Sequence, residues 1–304
     1  MVENDKAEAA KSRRYAPVGA AIEAPKAKSG LYLVATPIGN LGDVTLRALE
    51  VLAGADVIAC EDTRVTRKLA DRFAIATPLT PYHEHNATEA RPKLLARLSR
   101  GEAVALVSDA GTPLISDPGY RLVREAQAAG FDVVAIPGAS SVLTALSVAG
   151  LPTDRFFFEG FLPPKQVARQ KRIAALATIP ATLVLFESGP RIADALADLV
   201  GGLGSRDAAV CRELTKLHEE VKRAPLDQLA RDYAEGAETR GEFVVVIEPP
   251  REQETPVADV DALLRQALTR VSVKDAVGEV ALATGKPKRE VYQRALDLSK
   301  GGDE

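Results

Sequence analysis

The chain is poor in sulfur and in the largest aromatic side chain: its 304 residues include no tryptophan, one methionine and two cysteines. Cys60 and Cys211 each lie inside an apolar, strand-like run, which excludes a disulfide framework, and no Cys and His spacing suits a zinc site. The apolar stretches also end well before the roughly 18 residues that a membrane-spanning helix needs. We therefore expect a soluble protein of the reducing cytoplasm, with no metal and no membrane segment.

Two common nucleotide-binding motifs are missing. No Gly-x-Gly-x-x-Gly follows the first apolar strand, and no Gly-x-x-x-x-Gly-Lys-Ser/Thr segment occurs in the chain. An ordinary nucleotide-dependent dehydrogenase or kinase is therefore not expected.

Basic and acidic residues nearly balance, since 39 Lys and Arg stand against 42 Asp and Glu, for a net charge of -3. Because phosphate backbones attract basic surfaces, this balance argues mildly against a nucleic-acid partner. Two local basic clusters argue the other way, although each is equally typical of a solvated helix face. The predicted RNA-binding residues are Lys165, Arg169 and Arg172 in one cluster and Lys286, Lys288 and Arg289 in the other.

The chain divides by composition into four parts. Residues 1–29 are rich in Ala, Lys, Ser and Pro without an amphipathic period, which predicts a disordered leader. Beyond them, short apolar runs alternate with helix-like segments, a pattern typical of a parallel α/β sheet, and an aromatic strand near 156–161 begins a second α/β layer. We predict an N-terminal α/β domain at 30–150, a C-terminal α/β domain at 151–250, and a linker with a helical tail at 251–304.

The tail contains two helical patterns joined by a turn at 283–287, and Ser272 is the expected N-cap of the first. This layout is similar to a helix-turn-helix. It is weak evidence for nucleic-acid binding, because two short helices joined at a glycine are a common packing unit.

Three strand-to-loop junctions are rich in residues that form turns. The strand at 104–107 runs into a loop at 108–119 that contains two Asp, two Gly and two Pro residues, and similar junctions occur at 36–40 and 137–141. Because the carboxyl ends of parallel strands meet at one edge of a sheet, the three loops predict a crevice for a small polar ligand.

In this order the three loops resemble those of the tetrapyrrole methylase superfamily. Four segments are similar to its ribosomal RNA-methylating branch: Glu-Asp-Thr-Arg at 61–64, the 108–119 loop, Phe-Glu-Ser-Gly-Pro-Arg at 186–191, and Cys-Arg-Glu-Leu-Thr-Lys-Leu-His-Glu-Glu at 211–220. The resemblance runs from Leu31 to Pro249 and continues more weakly to the C-terminus.

The resemblance implies a two-domain α/β fold in which each domain is a mixed sheet flanked by helices, followed by a small helical module. It implies a homodimer that binds S-adenosyl-L-methionine in the cleft between the domains. The implied reaction is 2′-O-methylation of a decoding-region cytidine in the 16S rRNA of the small ribosomal subunit.

The resemblance also implies a set of cofactor-binding residues: Pro37, Asp109, Ala110, Gly111, Thr112, Ser140, Ser141 and Leu214. A carboxylate at a strand end suits this role, because it gives a charge-assisted hydrogen bond to a cationic amino group or to a ribose. Two simpler readings stay open, in which Asp109 only caps a turn and Ser140 only caps the following helix.

Methyl transfer to a ribose hydroxyl requires an oriented acceptor and a group that takes the proton or stabilises the developing alkoxide. The candidate catalytic residues are Glu61, Asp62, Arg64, Glu187 and Lys216. The first three also fit a capped helix start in which Arg64 forms a local ion pair. His218 is a weaker candidate, because a lone histidine is more often structural.

Two other functions stay open on sequence grounds. Methylation of a small corrin or siroheme precursor would use the same fold and cofactor and fits the net acidity better, but it fits the basic segments and the helical tail worse. A non-catalytic module that docks on the ribosome is the other, and the complete set of cofactor loops argues against it.

Overall fold

The computed structural model describes residues 14–16, 21–250 and 257–300. The chain divides into two compact units after Pro250, where the sequence predicts the start of the linker. The first unit holds two five-stranded sheets, and the described part of the second is helical.

The first sheet is parallel throughout. Short strands β1 (Arg14–Tyr15) and β2 (Ile22–Glu23) precede it as an antiparallel pair. The five strands of the parallel sheet are β3 (Gly30–Val34), β4 (Val57–Cys60), β5 (Leu79–Pro81), β6 (Ala103–Val107) and β7 (Val133–Ile136). They lie in the order β5-β4-β6-β3-β7 with parallel pairing, as the alternating sequence pattern predicts.

The second sheet is mixed. Its strands are β8 (Phe156–Phe161), β9 (Thr182–Ser188), β10 (Asp207–Arg212), β11 (Glu220–Pro225) and β12 (Glu242–Ile247). Their order is β11-β10-β12-β9-β8, in which only the β8 to β9 pairing is parallel. The implied two-domain α/β fold is confirmed, and the mixed sheet that the resemblance implies for each domain occurs only in the second.

Helices connect the strands of both sheets. In the first unit they are α1 (Leu46–Gly54), α2 (Thr63–Arg72), α3 (Ala87–Ser99), α4 (Tyr120–Ala128), α5 (Ser141–Ala149), α6 (Gln166–Leu176), α7 (Ile192–Leu203) and α8 (Leu226–Ala234). No helix within the described residues is long and apolar enough to cross a membrane.

The strands of the first sheet are buried on both faces. Ile58 packs with Leu49 in the cluster on one face, whereas its neighbour Val57 packs with Leu98 in the cluster on the other. A parallel sheet covered by helices on both sides explains why its strands read as continuous apolar runs.

Helix α5 joins the two sheets. It follows the last strand of the first sheet, but Val142 packs against Val244 of the second. The guanidinium of Arg223, on β11, donates from Nε to the carbonyl oxygens of Val148 and Ala149, at 3.0 and 3.2 Å. A cation at a helix C-terminus is favourable, so this contact helps fix the edge of the first sheet against the second.

The prediction of a disordered leader is wrong for the residues of it that the structure describes, 14–16 and 21–29. The N–H of Ala16 donates to the carbonyl of Phe73 at 2.8 Å, that of Ala27 donates to the carbonyl of Gly54 at 3.0 Å, and Ala24 is buried. Backbone hydrogen bonds to the ends of α1 and α2 order this stretch, which composition alone does not reveal. Residues 1–13 and 17–20 of the predicted leader lie outside the described residues.

The second unit contains three described helices where the sequence predicts two. They are α9 (Val257–Leu268), α10 (Val273–Thr284) and α11 (Lys288–Lys300). The Oγ of Ser272 accepts the N–H of Asp275 at 3.3 Å, which confirms the predicted N-cap. The additional helix, α9, buries Val260 and Leu264 against the other two, because an isolated helical pair of this size would leave that apolar face uncovered.

Candidate functional site

A cleft of about 360 Å³ lies between the loops at the carboxyl edge of the first sheet and one face of the second. Small residues line it from the first domain, among them Gly111 and Ser140. Apolar side chains line it from the second, among them Phe186, Leu214 and Val244. The cleft can therefore enclose a ligand that is partly apolar and partly polar.

The three predicted loops form one connected wall. Thr36 and Gly111 exchange backbone hydrogen bonds of 2.9 and 3.0 Å, which joins the first loop to the second. The Oγ1 of Thr112 donates to the carbonyl of Ala139 at 3.3 Å, which joins the second to the third. The expectation that these loops line one crevice is confirmed.

The loop after β10 closes onto the first loop from the opposite side. The N–H of Asn40 donates to Oγ1 of Thr215 at 3.2 Å. A Cβ built on Gly39 would lie 2.4 Å from Cγ of Lys216, so glycine is needed where the lysine stem crosses. Glu213 and Thr215 adopt φ angles of 51° and 67°, which cost free energy for side chains other than glycine, and such backbone persists where its surroundings fix it.

Lys216 lines the cleft with its charge already compensated. Its Nζ lies 2.8 Å from Oε1 of Glu213 and 2.9 Å from Oε2 of Glu242. Burial lowers the pKa of Lys216, but the two carboxylates outweigh burial and raise it overall. Lys216 is therefore a cation at neutral pH, and its catalytic role stays a prediction.

Glu187 is buried at the end of β9. Its Oε1 accepts the N–H of Ser188 at 2.8 Å, and its Oε2 lies 3.2 Å from a guanidinium nitrogen of Arg191. Arg191 is itself held by the carbonyl of Leu162 at 2.7 Å. The carboxylate thus lines the cleft in a fixed orientation.

Three carboxylates come together where β4 and β6 end. Burial raises the pKa of Glu61, and the charge of Asp109 raises it further. Burial likewise raises the pKa of Asp109, which also accepts the N–H of Asp62 at 2.9 Å. Asp117, on the same loop as Asp109, has its pKa raised to about 6 by burial first and by Glu61 second. This corner therefore binds protons more readily than separate carboxylates would.

Asp62 and Arg64 form the capped helix start that the sequence left open. The Oδ1 of Asp62 accepts the N–H of Arg64 at 2.8 Å, and the two side chains pair at 2.6 Å. These hydrogen bonds lower the pKa of Asp62 to about 2. Neither residue is part of the cleft lining, so a catalytic role for either rests on the sequence prediction alone.

Ser140 has both of the positions considered for it, at the cap of a helix and in the lining of the cleft. Its Oγ caps α5 by accepting the N–H of Leu143 at 3.5 Å, and the residue also lines the cleft. Asp109 differs, because it anchors Asp62 behind the lining rather than being part of it.

Most of the predicted cofactor residues meet in the cleft. The predicted residues that line it are Ala110, Gly111, Thr112, Ser140, Ser141, Glu187, Leu214 and Lys216. Those outside the lining are Pro37, Glu61, Asp62, Arg64 and Asp109. Lining residues that the sequence prediction missed include Ile38, Ser116, Asp117, Phe161, Phe186, Cys211 and Glu242. Asp117 had a usable signal, because it belongs to the loop singled out for its turn residues.

Two of the predicted RNA-binding residues are paired with acids, one of them buried and the other partly exposed. Arg169 is buried with Nε 2.6 Å from Asp198, and Arg172 forms a two-pronged pair with Glu159 at 2.5 and 2.6 Å. For Arg169 the prediction is wrong, because a buried guanidinium does not reach a phosphate. Basic side chains of one helix can bury against acids of its neighbours, and the sequence does not show this.

The remaining predicted RNA-binding residues are more accessible. Lys165, Lys288 and Arg289 are exposed, whereas Lys286 lies 3.2 Å from Glu290.

Within the described ranges, no group of three or more His, Cys, Asp and Glu side chains is placed to hold a metal ion.

Comparison with known proteins identifies the family. Residues 30–230 match the model of the Tetrapyrrole (Corrin/Porphyrin) Methylases, and residues 254–299 match the RsmI C-terminal HTH domain. The chain belongs to the tetrapyrrole methylase family. The resemblance drawn from the sequence is confirmed, as is the expectation of a methyltransferase that uses S-adenosyl-L-methionine, at the level of the family.

Relatives of this tetrapyrrole methylase share nearly its whole length. The chain is 52% identical to the ribosomal RNA small subunit methyltransferase I of Mesorhizobium japonicum, over 91% of this chain and 95% of the relative. It is 45% identical to the protein of the same name from Pseudomonas aeruginosa, over 88% and 96%.

Solved structures share the fold at lower identity. Diphthine synthase has a TM-score of 0.56 at 19% identity, over 72% of this chain and 89% of that one. The uroporphyrin-III C-methyltransferase of Thermus thermophilus complexed with S-adenosyl homocysteine has a TM-score of 0.50 at 22% identity, over 72% and 97%.

Proposed function

We propose that this methyltransferase transfers the methyl group of S-adenosyl-L-methionine to 16S rRNA in the small ribosomal subunit, at the 2′-hydroxyl of a decoding-region cytidine. We also propose that it acts as a homodimer in the cytoplasm. The observation that carries the substrate is identity of 52% over 91% of the chain to a protein named for methylation of small-subunit ribosomal RNA. The C-terminal module supports it, because residues 254–299 match the RsmI C-terminal HTH domain, and a helix-turn-helix is a layout that binds nucleic acid in other proteins.

The cleft suits the cofactor. S-adenosyl-L-methionine carries a sulfonium and an ammonium group, and the carboxylates of Glu187 and Glu242 line the side of the cleft that the second sheet forms. The apolar side of the cleft, with Phe186 and Leu214, suits a nucleoside base. Gly111, which lines the cleft, adopts a φ of 80°, a left-handed conformation that favours glycine.

When bound, the cofactor supplies an electrophilic methyl group on a cationic sulfur. The protein then has to orient the acceptor oxygen in line with that methyl group and exclude water. The joined loops at Thr36, Gly111 and Ala139 form one rigid side of the site. The loop that carries Lys216 forms the other, and the hydrogen bonds of Thr215 to Asn40 and of Lys216 to Glu242 hold it in place.

Methyl transfer to purified small ribosomal subunits tests the proposal. With subunits from cells that lack this protein and with labelled S-adenosyl-L-methionine, we expect one labelled nucleotide, at a ribose whose 3′ phosphodiester resists alkaline cleavage. Subunits from cells that contain the protein are the control and should accept little label. Label on a base would contradict the 2′-hydroxyl as acceptor. Tight cofactor binding without label on RNA would favour a small-molecule substrate.

The second basic cluster is expected to contribute to RNA binding through its exposed members. Replacing Lys288 and Arg289 together with alanine should weaken binding to small subunits and reduce the slope of log K against log salt by roughly 1.5, since each phosphate contact contributes about 0.7 to 0.9. The affinity for the cofactor should not change. Arg265→Ala, an exposed change on α9, is the matched control, and an unchanged slope in the double variant would contradict RNA contact by these residues.

A small tetrapyrrole precursor is the less supported substrate. The cobalt precorrin-4 methyltransferase shares 18% identity and covers 72% of this chain, whereas the two ribosomal RNA methyltransferases cover 88% and 91%. At that identity the likeness supports the fold alone.

A further inference from the structure

Few groups in the cleft can take a proton. Among the described residues, its lining includes the acids Asp117, Glu187 and Glu242, the amine of Lys216 and the thiol of Cys211, and no histidine. The proposed reaction requires that the 2′-hydroxyl of a ribose lose its proton as the new bond forms. A side chain with free acceptor capacity at the cleft surface would serve this step.

Four of these five groups are already engaged or unsuitable. Glu242 is bound to Lys216. Glu187 is only 3% exposed, with Oε1 bound by the N–H of Ser188 and Oε2 at 3.2 Å from Arg191, so it lies too deep to meet a ribose hydroxyl at the surface. Lys216 is a cation at neutral pH, because its two carboxylate partners outweigh burial and raise its pKa. Burial raises the pKa of the Cys211 thiol to about 11, which leaves it protonated.

Asp117 differs from the other acids of the cleft. Within the described part of the chain it is paired with no cation, and the groups that face it are the carboxylates of Glu61 and Asp109 and the hydroxyl of Ser108. Across the cleft, the charged groups of the second domain are Glu187, Glu242 and Lys216. Burial and the charge of Glu61 give Asp117 a pKa of about 6, so at neutral pH it is ionised yet more basic than an ordinary carboxylate.

The loop that carries Asp117 is fixed. Leu114 and Ser116 adopt φ angles of 75° and 62°, and backbone of this kind persists where its surroundings hold it. The Oγ of Ser116 lies 3.0 Å from the position that a Cβ would take on Gly160, at the bulge of β8. The loop therefore packs on the second domain, and Asp117 is presented to the cleft from a rigid support.

Resting on the proposed function, we propose that Asp117 is the general base that accepts the proton of the ribose 2′-hydroxyl. The O–H bond breaks toward the Asp117 carboxylate while the 2′-oxygen forms its bond to the methyl carbon. The carbon–sulfur bond breaks at the same time and its electron pair stays on sulfur. Asp117 then releases the proton to water. Glu61, which lies outside the lining, acts as a positioning residue that raises the basicity of Asp117.

Asp117→Asn tests this assignment. We expect a loss of roughly 100-fold or more in kcat, in the range of a removed general base, with the Kd for S-adenosyl homocysteine within threefold of wild type. In the wild-type protein, log kcat should fall by one unit per pH unit below about pH 6, since the base must be ionised, and this limb should be absent from the residual activity of the variant. Asp71→Asn, an exposed acid on α2, is the matched control and should behave as wild type.

Two further measurements separate the possible failures. Carbon-13 NMR titration of the free protein should show the Asp117 carboxyl titrating near pH 6, and an ordinary value near 4 would contradict the assignment. Asp117→Ala should regain activity with added formate, which a merely structural role would not produce. Loss of S-adenosyl homocysteine binding in Asp117→Asn would overturn the assignment in favour of a cofactor contact. Wild-type protein inactive on RNA would instead refute the proposed function.

Discussion

Replacing Asp109 with alanine is expected to lower kcat/KM for methyl transfer by roughly 100-fold and to weaken cofactor binding, because loops displaced by about 1 Å carry penalties of that size. The reason is positional. The Oδ1 of Asp109 holds the N–H of Asp62 at 2.9 Å, and this bond ties the loop after β6 to the start of α2. Ala110, Gly111 and Thr112 follow directly and line the cleft, so a loosened Asp109 moves all three.

Asp109→Asn distinguishes the role of Asp109 in positioning its loop from a contact between its negative charge and the cofactor. The amide oxygen can still accept the N–H of Asp62, so we expect cofactor affinity within about threefold of wild type. Titration calorimetry with S-adenosyl homocysteine measures this directly. Equal losses in Asp109→Asn and Asp109→Ala would show instead that the negative charge contacts the cofactor, as the family resemblance implies. Wild-type activity in Asp109→Ala would contradict both roles.

Replacing Arg169 with alanine is expected to lower the free energy of unfolding by about 3 kcal/mol, the lower end of the range for breaking a buried ion pair. Arg169 and Asp198 are both buried, and the change leaves the Asp198 carboxylate without its cation. Gln170, at 2.8 Å, and Gln166, at 3.5 Å, still donate to Asp198, which keeps the loss from being larger.

Urea denaturation followed by circular dichroism measures the Arg169 effect. Lys165→Ala, a change of an exposed residue next to the same helix, is the control and should alter the free energy of unfolding by less than about 0.5 kcal/mol. Replacing Arg169 and Asp198 together with leucine should recover most of the loss, because a well-packed apolar pair often replaces a buried ion pair without cost. An unchanged free energy of unfolding in Arg169→Ala would contradict a stabilising buried ion pair and would reopen the prediction that Arg169 binds RNA.

Much of the fold follows from the sequence. The strand predicted at 104–107 coincides with β6 within one residue, because buried parallel strands need uninterrupted apolar side chains. Ser272 was predictable as an N-cap for a similarly local reason, since its hydroxyl satisfies an N–H three residues away. The ordered structure of residues 21–29 and the helix α9 were not predicted, because the contacts that order them are not local.

For the site, the sequence determined which loops take part, because turn residues after apolar strands mark the carboxyl edge of a parallel sheet. The cofactor followed from the family resemblance that those loops carry. Only the tertiary structure decided which side chains line the cleft. It placed Asp62 and Arg64 in a helix cap, Arg169 in a buried pair, and Asp117 at the cleft surface. The physical reason is that charge pairing and burial depend on distances between segments far apart in the chain, and those distances arise only when the two sheets and α5 pack together.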